Sequence, residues 1–154
     1  MKIIPLHPEH QAVYTQLAHA FYHSDAVSHP IPQKNIQAAF QAAVDVNNPM
    51  AEGYLFFDGT EPVGFAFLTK TFSQEAGGVT LWLEDFYIQP AHRSSGIGTK
   101  FLHWLTNRLH KDVVRIRLEI MPDNIKAKAL YVRHGFTTLP YAQMLMERED
   151  CLES

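Results

Sequence analysis

The sequence contains one cysteine and lacks long apolar runs. Cys151 lies near the end of the chain beside Glu149, Asp150 and Glu153. It cannot form an internal disulfide, which agrees with a reducing compartment, and its acidic neighbours would not activate a thiolate. We interpret it as an incidental residue. The first ten residues lack the apolar core of a secretory signal, and no stretch approaches the ~20 apolar residues of a membrane span. A cytoplasmic protein with no membrane partner is expected.

An excess of basic residues is also missing. Thirteen Lys and Arg stand against sixteen Asp and Glu, which gives a formal net charge of -3 and a pI near 6.3. Nucleic-acid-binding proteins usually carry a basic face, so nucleic acid is not an expected partner. Nine histidines are present, but His19 and His23, one helical turn apart, have no third ligand in view. No metal site is expected.

The length and the apolar periodicity indicate one α/β domain over residues 1–154. The chain is 46% hydrophobic, which suffices for one core, and it has no internal repeat. The expected order is β-α-α-β-β-β-α-β-α-β-β, a mixed sheet with helices on both faces. The expected strands are 2–6, 54–57, 63–68, 80–88, 113–121, 136–139 and 142–146, with a hairpin turn at Asp58-Gly59, and the helices are 9–23, 33–46, one from residue 97, and 125–134.

The stretch 80–112 predicts a strand, a tight glycine loop and a helix. The loop consists of Arg93, Ser94, Ser95, Gly96, Ile97, Gly98 and Thr99. Alternating glycines remove Cβ atoms where amides face outward at a helix N-terminus, which is a geometry that receives phosphate. An ordinary turn before a helix is the alternative. The loop is not a Walker A motif, because Thr99-Lys100 follows Gly98, and it lacks the third glycine of the dinucleotide fingerprint.

A second cluster follows about one strand and one helix later. Its residues are Asn124, Ala127, Leu130, Tyr131, Gly135 and Phe136. Considered alone, Tyr131 is more typical of a core than of a catalytic site. Together, the two clusters resemble the GCN5-related N-acetyltransferase (GNAT) superfamily across the whole element order. The segment Leu83-Glu84-Asp85 also resembles the polyamine and thialysine acetyltransferases within that superfamily.

This resemblance implies a site for acetyl-coenzyme A. Residues 93–99 would bind its pyrophosphate, and the main chain of Phe86, Tyr87 and Ile88 would pair with pantetheine. Asn124 and Tyr131 would lie along the thiol arm, with Tyr131 as the general acid for the departing thiolate. Ser94 and Ser95 depart from the common R-G-K-G-I-G loop, which affects the expected affinity for the cofactor. Relatives are often homodimers, so a homodimer is an expectation as well.

Acetyl transfer to an amine requires a neutral amine, a stabilised oxyanion and a protonated leaving group. An alkyl ammonium has a pKa near ~10.4, so a base must remove its proton. We assign this role to Glu84, because residues 82, 84, 86 and 88 of a regular strand share one face. A purely structural carboxylate is the alternative. Asp85 would face the other way unless the strand bulges, so it is the weaker candidate for the base and would instead hold the substrate or the fold.

The acceptor would be bound outside the cofactor motifs. Candidates are Tyr22, His23 and Asp25 with the loop 24–32, then Thr71, Phe72 and Tyr141. Acids at 25, 84 and 85 favour a small cationic acceptor such as a polyamine, amino acid or aminoglycoside, acetylated by direct attack in a ternary complex. Acetylation of protein lysines or N-termini is one alternative. A module that binds acyl-CoA without turnover is another.

Overall fold

The computed structural model describes residues 1–148; the interpretation of Cys151 falls on residues outside this range. The strands β1 to β5 are Lys2–Pro5, Ala51–Asp58, Glu61–Ser73, Gly78–Ile88 and Val113–Leu118. The helices α1 to α4 are Gln11–Tyr22, Gln33–Val44, Ile97–Thr106 and Ile125–Arg133, and short 3-10 helices span Pro8–His10 and Pro90–His92. The mixed α/β class and the order from β1 to α4 are confirmed.

The five strands form one sheet in the order β1-β2-β3-β4-β5. The pairs from β1 to β4 are antiparallel, and β2 turns into β3 at the predicted hairpin, where Gly59 has a φ of 59°. Glycine adopts this left-handed conformation at little cost. β5 runs parallel to β4 because α3 returns the chain across the sheet. β1 and β5 are therefore the sheet edges.

Helices cover both faces of the sheet, as predicted, and each face has its own apolar core. One cluster, which packs against α1 and α2, contains Tyr14, Leu55 and Phe65. The other, which packs against α3 and α4, contains Phe56 and Phe101. Successive residues of β2 enter opposite clusters because side chains alternate along a strand. The central strands are buried on both sides, which gives the adjoining site a rigid base.

The C-terminal residues of the domain differ from the end of the predicted order. Residues 136–148 contain no strand, although strands were expected at 136–139 and 142–146. Met144 and Met146 are 96% and 93% exposed. Pro140 has no amide hydrogen for a ladder, and the hydroxyl of Tyr141 donates to Glu75 in the β3–β4 connection at 3.1 Å. This segment contacts the rest of the domain through groups such as the ring of Phe136 and the hydroxyl of Tyr141, and not through strand pairing.

Candidate active site

The sheet opens between β4 and β5. Their parallel pairing runs from Val79 opposite Val113 to Leu83 opposite Leu118. On its other side, β4 stays paired with β3 as far as Ile88. On the side of β4 that faces β5, the main-chain groups of residues 84–88 therefore pair with none of the strands found within residues 1–148. Such an edge can pair with an extended ligand.

A cleft of about 1060 Å³ runs from this edge to the first turns of α3 and α4. Most of the predicted site residues line it: Asp25, Glu84, Phe86, Tyr87, Ile88, Arg93, Ser94, Gly96, Ile97, Gly98, Thr99, Asn124 and Tyr131. Ser95, Tyr22 and Asp85 are not part of its lining. The structure thus brings the glycine loop, the end of β4 and the start of α4 around one space.

The glycine loop, residues 93–99, ends in the first turn of α3. Gly96 is the N-cap with a φ of 84°, and Ser94 also has a positive φ of 60°. The N–H of Lys100 donates to the carbonyl of Gly96 at 3.0 Å, so the three amides before it are the unpaired donors of the helix. An anion is favoured here by these donors and by the helix dipole.

Gly98 allows α4 to approach this loop closely. A Cβ atom at position 98 would lie 2.8 Å from Cδ2 of Leu130 on α4, so the end of the Leu130 side chain would have to shift to admit it. Ile97 is 5% exposed and anchors the turn in the α3–α4 cluster. The hydroxyl of Ser95 donates to the carbonyl of His92 and closes the loop from the other side. The backbone of the loop is therefore held in place by both flanking elements.

Arg93 connects the loop to the end of β4. Its Nε donates to the carbonyl of Ile88 at 2.9 Å, and its guanidinium lies 5.7 Å from the ring centroid of Tyr87. The side chain also lines the cleft, so its positive charge lies beside the loop amides. Arg93 thus has a structural contact in addition to any contact with a ligand.

β4 contains a β-bulge at Glu84, which overturns part of the strand interpretation. Leu68 of β3 pairs with Leu83, but its neighbour Phe67 pairs with Asp85, so Glu84 is the extra residue. The prediction that residues 82, 84, 86 and 88 share one face is wrong. Phe86 packs in the α3–α4 cluster together with Leu83, which a regular strand would place on the opposite face.

The bulge leaves the two acids in different surroundings. Glu84 is exposed, lines the cleft and accepts a hydrogen bond from the hydroxyl of Thr69 at 2.9 Å. Asp85 is partly buried and meets α1, where the hydroxyl of Tyr22 lies 2.8 and 2.9 Å from its two carboxylate oxygens. Asp85 was expected to face away from the side of Glu84 unless the strand bulges. The bulge is present, and Asp85 contacts α1.

The environment of Asp85 changes its acidity. Burial raises the pKa of its carboxyl to about 6; the hydrogen bond from Tyr22 opposes this rise and the charge of Glu84 adds to it. Burial, and then the carboxylate of Asp85, raise the pKa of Tyr22 well above its usual range, so Tyr22 remains a donor. Asp85 is thus a weaker acid than an exposed aspartate, and it lies outside the cleft lining.

Tyr131 and Asn124 lie at the α4 side of the cleft. Tyr131 is 7% exposed, its ring packs against Phe136 with centroids 5.5 Å apart, and burial raises its pKa well above the usual range. Its hydroxyl has no hydrogen-bond partner among residues 1–148. Asn124 is the N-cap of α4, and its Oδ1 accepts from the N–H of Ala127 at 3.2 Å. Asn124 therefore fixes the start of the helix that carries Tyr131.

The acceptor candidates divide into two groups. His23, Ser24 and Asp25, which follow α1, line the cleft. Thr71, Phe72 and Tyr141 lie near the β3–β4 connection and take no part in its lining. Thr71 accepts from the indole of Trp82 at 3.2 Å, and Phe72 is 75% exposed. The sequence could not separate these two groups, because contacts between residues far apart in the chain decide which of them reach the cleft.

Four charged cleft residues were not predicted from the sequence: Glu119, Asp123, Lys126 and Arg133. The signal that could have found the two cations is their position on the helix of Asn124 and Tyr131. Among residues 1–148, no group of three or more His, Cys, Asp or Glu side chains could hold a metal ion. No helix within this range combines the length and apolar character needed to cross a bilayer.

A family match defines the class of protein to which this fold belongs. The family model described as "Acetyltransferase (GNAT) family" matches residues 11–136. The chain therefore belongs to the GNAT acetyltransferase family, and the predicted class of enzyme is confirmed.

Curated relatives place the chain near polyamine-type members of the family, as the 83–85 segment suggested. It is similar to thialysine N-epsilon-acetyltransferase of Caenorhabditis elegans, with 24% identity over 131 residues, 84% of this chain and 79% of the relative. It is also similar to spermine/spermidine N(1)-acetyltransferase of Bacillus subtilis, with 34% identity over 86 residues. That match covers 53% of this chain and 56% of the relative, so the chain spans about half of that protein's length.

Solved structures share the fold at low sequence identity. A possible acetyltransferase from Clostridium difficile 630 gives a TM-score of 0.79 with 16% identity, over 96% of this chain and 97% of the other. The aminoglycoside N-acetyltransferase AAC(6')-Iy, solved in complex with CoA, gives 0.74 with 14% identity over 96% and 94%. These likenesses establish the fold alone.

Proposed function

We propose that the protein is an acetyl-CoA-dependent N-acetyltransferase, contained in one domain, that acts on a primary amine of a small cationic molecule. The acceptor would be of the polyamine, amino acid or aminoglycoside type. One observation carries the proposal: the free edge of β4, the amides of the glycine loop, Glu84 and Tyr131 border one cleft. The names of the relatives support the acceptor class.

The residues present fit the cosubstrate. The amides at the start of α3 and the charge of Arg93 suit a diphosphate. The main chain of Phe86, Tyr87 and Ile88 suits the amide groups of pantetheine, since an unpaired strand edge binds extended ligands. Ser94 lines the cleft and can supply a hydroxyl where the common loop has glycine. Acetyl-CoA supplies the activated carbonyl and a thiol leaving group.

Glu84 is the proposed base, because its carboxylate borders the cleft and is accessible to a cationic amine. It accepts one proton from the ammonium, directly or through water. The free nitrogen attacks the thioester carbonyl, so that a C–N bond forms and the C–S bond breaks. A main-chain N–H within residues 86–88 stabilises the oxyanion.

Tyr131 is the proposed acid. Its raised pKa keeps the hydroxyl protonated at neutral pH, and the absence of another partner within residues 1–148 leaves that proton for the departing sulfur. The second proton lost by the nitrogen restores the hydroxyl, so the net reaction releases one proton. Asn124 supports this role because it caps the helix that holds Tyr131 in position.

Acidic side chains favour a cationic acceptor. Asp25 and Glu84 both border the cleft, and Asp85, held by Tyr22, adds negative charge close to Glu84. Negative charge lining a cleft concentrates cationic ligands. We therefore assign Tyr22, Asp25, Glu84 and Asp85 to the acceptor side. Tyr22 and Asp85 do not line the cleft and contribute through the charge of Asp85.

A thiol-release assay with a panel of amines tests the proposal. The panel contains spermidine, free lysine, an aminoglycoside and a lysine peptide, each with acetyl-CoA. We expect turnover with a small polycation. Turnover of the peptide alone would indicate protein acetylation, and tight acetyl-CoA binding without turnover would indicate a sensor. Absence of acetyl-CoA binding in calorimetry would refute the proposal. The homodimer and the cytoplasmic location stay predictions.

A further inference from the structure

Helix α4 presents two cations beside the glycine loop. Leu130 contacts the position of Gly98, which shows that α4 runs next to the first turn of α3. Lys126 precedes Leu130 by four residues and Arg133 follows it by three, so all three lie on one side of the helix. Lys126 and Arg133 both line the cleft and are otherwise exposed.

Neither cation is neutralised by the protein. Within residues 1–148, Lys126 and Arg133 form no ion pair and no side-chain hydrogen bond. Two acids, Glu119 and Asp123, share this part of the cleft lining, but both come before α4. At a rise of about 1.5 Å per residue, Arg133 lies about 12 Å along the axis from Ile125, where α4 begins after these acids. The far end of α4 is therefore a positive part of the cleft.

We propose that Arg133, assisted by Lys126, binds the 3′-phosphate of coenzyme A and makes the protein select the cosubstrate over its 3′-dephospho form. This inference rests on the proposed function. Coenzyme A carries its diphosphate and, separately, a phosphate monoester with a charge of about -2 near neutral pH. The amides of one helix N-terminus can hold the first group. The 3′-phosphate needs donors of its own, and Lys126 and Arg133 of α4 lie beside the glycine loop.

The two residue types suit this ligand in different ways. A guanidinium offers a planar fork of donors that matches two phosphate oxygens, so Arg133 can both attract and orient the group. The ammonium of Lys126 acts as a mobile point charge. Arg133 is therefore expected to contribute more to the selection, and lysine at position 133 would restore only part of it.

Calorimetry with coenzyme A and 3′-dephospho-coenzyme A tests the inference at one fixed salt concentration. We expect the parent protein to bind coenzyme A about tenfold more tightly, as one charge-assisted contact implies. Arg133→Ala should remove most of this preference and Lys126→Ala part of it, both without changing the Kd for the dephospho form. Lys128→Ala is the matched control, because Lys128 is exposed on the same helix but does not line the cleft.

The outcomes separate the inference from the function on which it rests. Equal affinity of the parent protein for the two ligands would overturn the inference and leave the function intact. An equal loss for both ligands in Arg133→Ala would also overturn it, because the residue would then support the loop and not read the 3′-phosphate. A Lys128→Ala variant that behaves like Arg133→Ala would overturn it too, because the preference for coenzyme A would then reflect the net charge of α4 and not a contact at Arg133. Binding of neither ligand would overturn both proposals.

Discussion

Replacement of Tyr22 by phenylalanine removes one oxygen atom and leaves the carboxylate of Asp85 without its tyrosine donor. In the folded protein, the two carboxylate oxygens lie 2.8 and 2.9 Å from that hydroxyl. A hydrogen bond to a charged group is worth about 2 kcal/mol and one between neutral groups about 1 kcal/mol. The cost of Tyr22→Phe should therefore depend on whether Asp85 is ionised.

The direction of this pH dependence follows from the pKa of Asp85. Its ordinary value is 3.8 and its value in the folded protein is about 6, raised first by burial. The folded state thus retains a proton that the unfolded chain releases, and stability falls as the pH rises from about 4 to about 6. Tyr22→Phe removes the contact that lowers this pKa. The folded-state pKa then rises further, and the fall in stability extends to higher pH.

We expect Tyr22→Phe to lower the free energy of unfolding by about 1 kcal/mol at pH 5 and by about 2 kcal/mol at pH 8. Urea denaturation followed by tryptophan fluorescence measures both values, with an unchanged m-value as the check on two-state unfolding. Tyr14→Phe is the control: Tyr14 is 1% exposed in the same core and has no hydrogen bond to Asp85. Its cost should not depend on pH.

Two results would contradict this reasoning. One is an equal loss of stability for Tyr22→Phe at both pH values. The other is a carboxyl titration of Asp85, followed by NMR, whose midpoint does not rise in the variant. Either would mean that the tyrosine does not hold the ionised carboxylate.

Three further predictions concern the cleft and the strand beside it. Tyr131→Phe should lower kcat by about 100-fold in the thiol-release assay, and turnover at the parent rate would exclude the general acid. Glu84→Gln should lower kcat/KM by about 100-fold across pH 6 to 9, and the parent rate over that range would exclude Glu84 as the base. Gly64→Ala places a Cβ against the main-chain oxygen of Tyr87 and should cost about 3 kcal/mol in urea denaturation. Gly59→Ala, in an open turn, should cost only about 1 kcal/mol.

Local features of the fold could be predicted because their causes are local. The hairpin at Asp58-Gly59 needs a residue that adopts a positive φ, and Gly59 has a φ of 59°. The start of α3 at Ile97 follows from apolar residues at helical spacing behind a glycine. Each of these signals lies within a few residues of the structure that it specifies. The apolar residues of 136–146 show the limit, since alternation indicates a strand only when a partner strand is available.

The bulge at Glu84 could not be predicted in the same way. Regular alternation assigns every second residue to one face, but a bulge shifts this assignment by one residue for the rest of the strand. Whether a bulge forms depends on the register with β3, where Leu68 and Phe67 bracket the extra residue. That register reflects packing on both faces of the sheet. Local sequence does not contain it.

The same bulge explains how two consecutive acids can serve different purposes. In a regular strand, Glu84 and Asp85 would point to opposite faces, and one of them would enter the α3–α4 core. The bulge avoids this burial of a charge: Phe86 fills the core position instead, Glu84 borders the cleft and Asp85 binds Tyr22. If this account is correct, deletion of Glu84 would restore regular pairing of Leu83 and Asp85 with Leu68 and Phe67. Asp85 would then stay on the α1 face and keep its contact with Tyr22, and the cleft alone would lose a carboxylate.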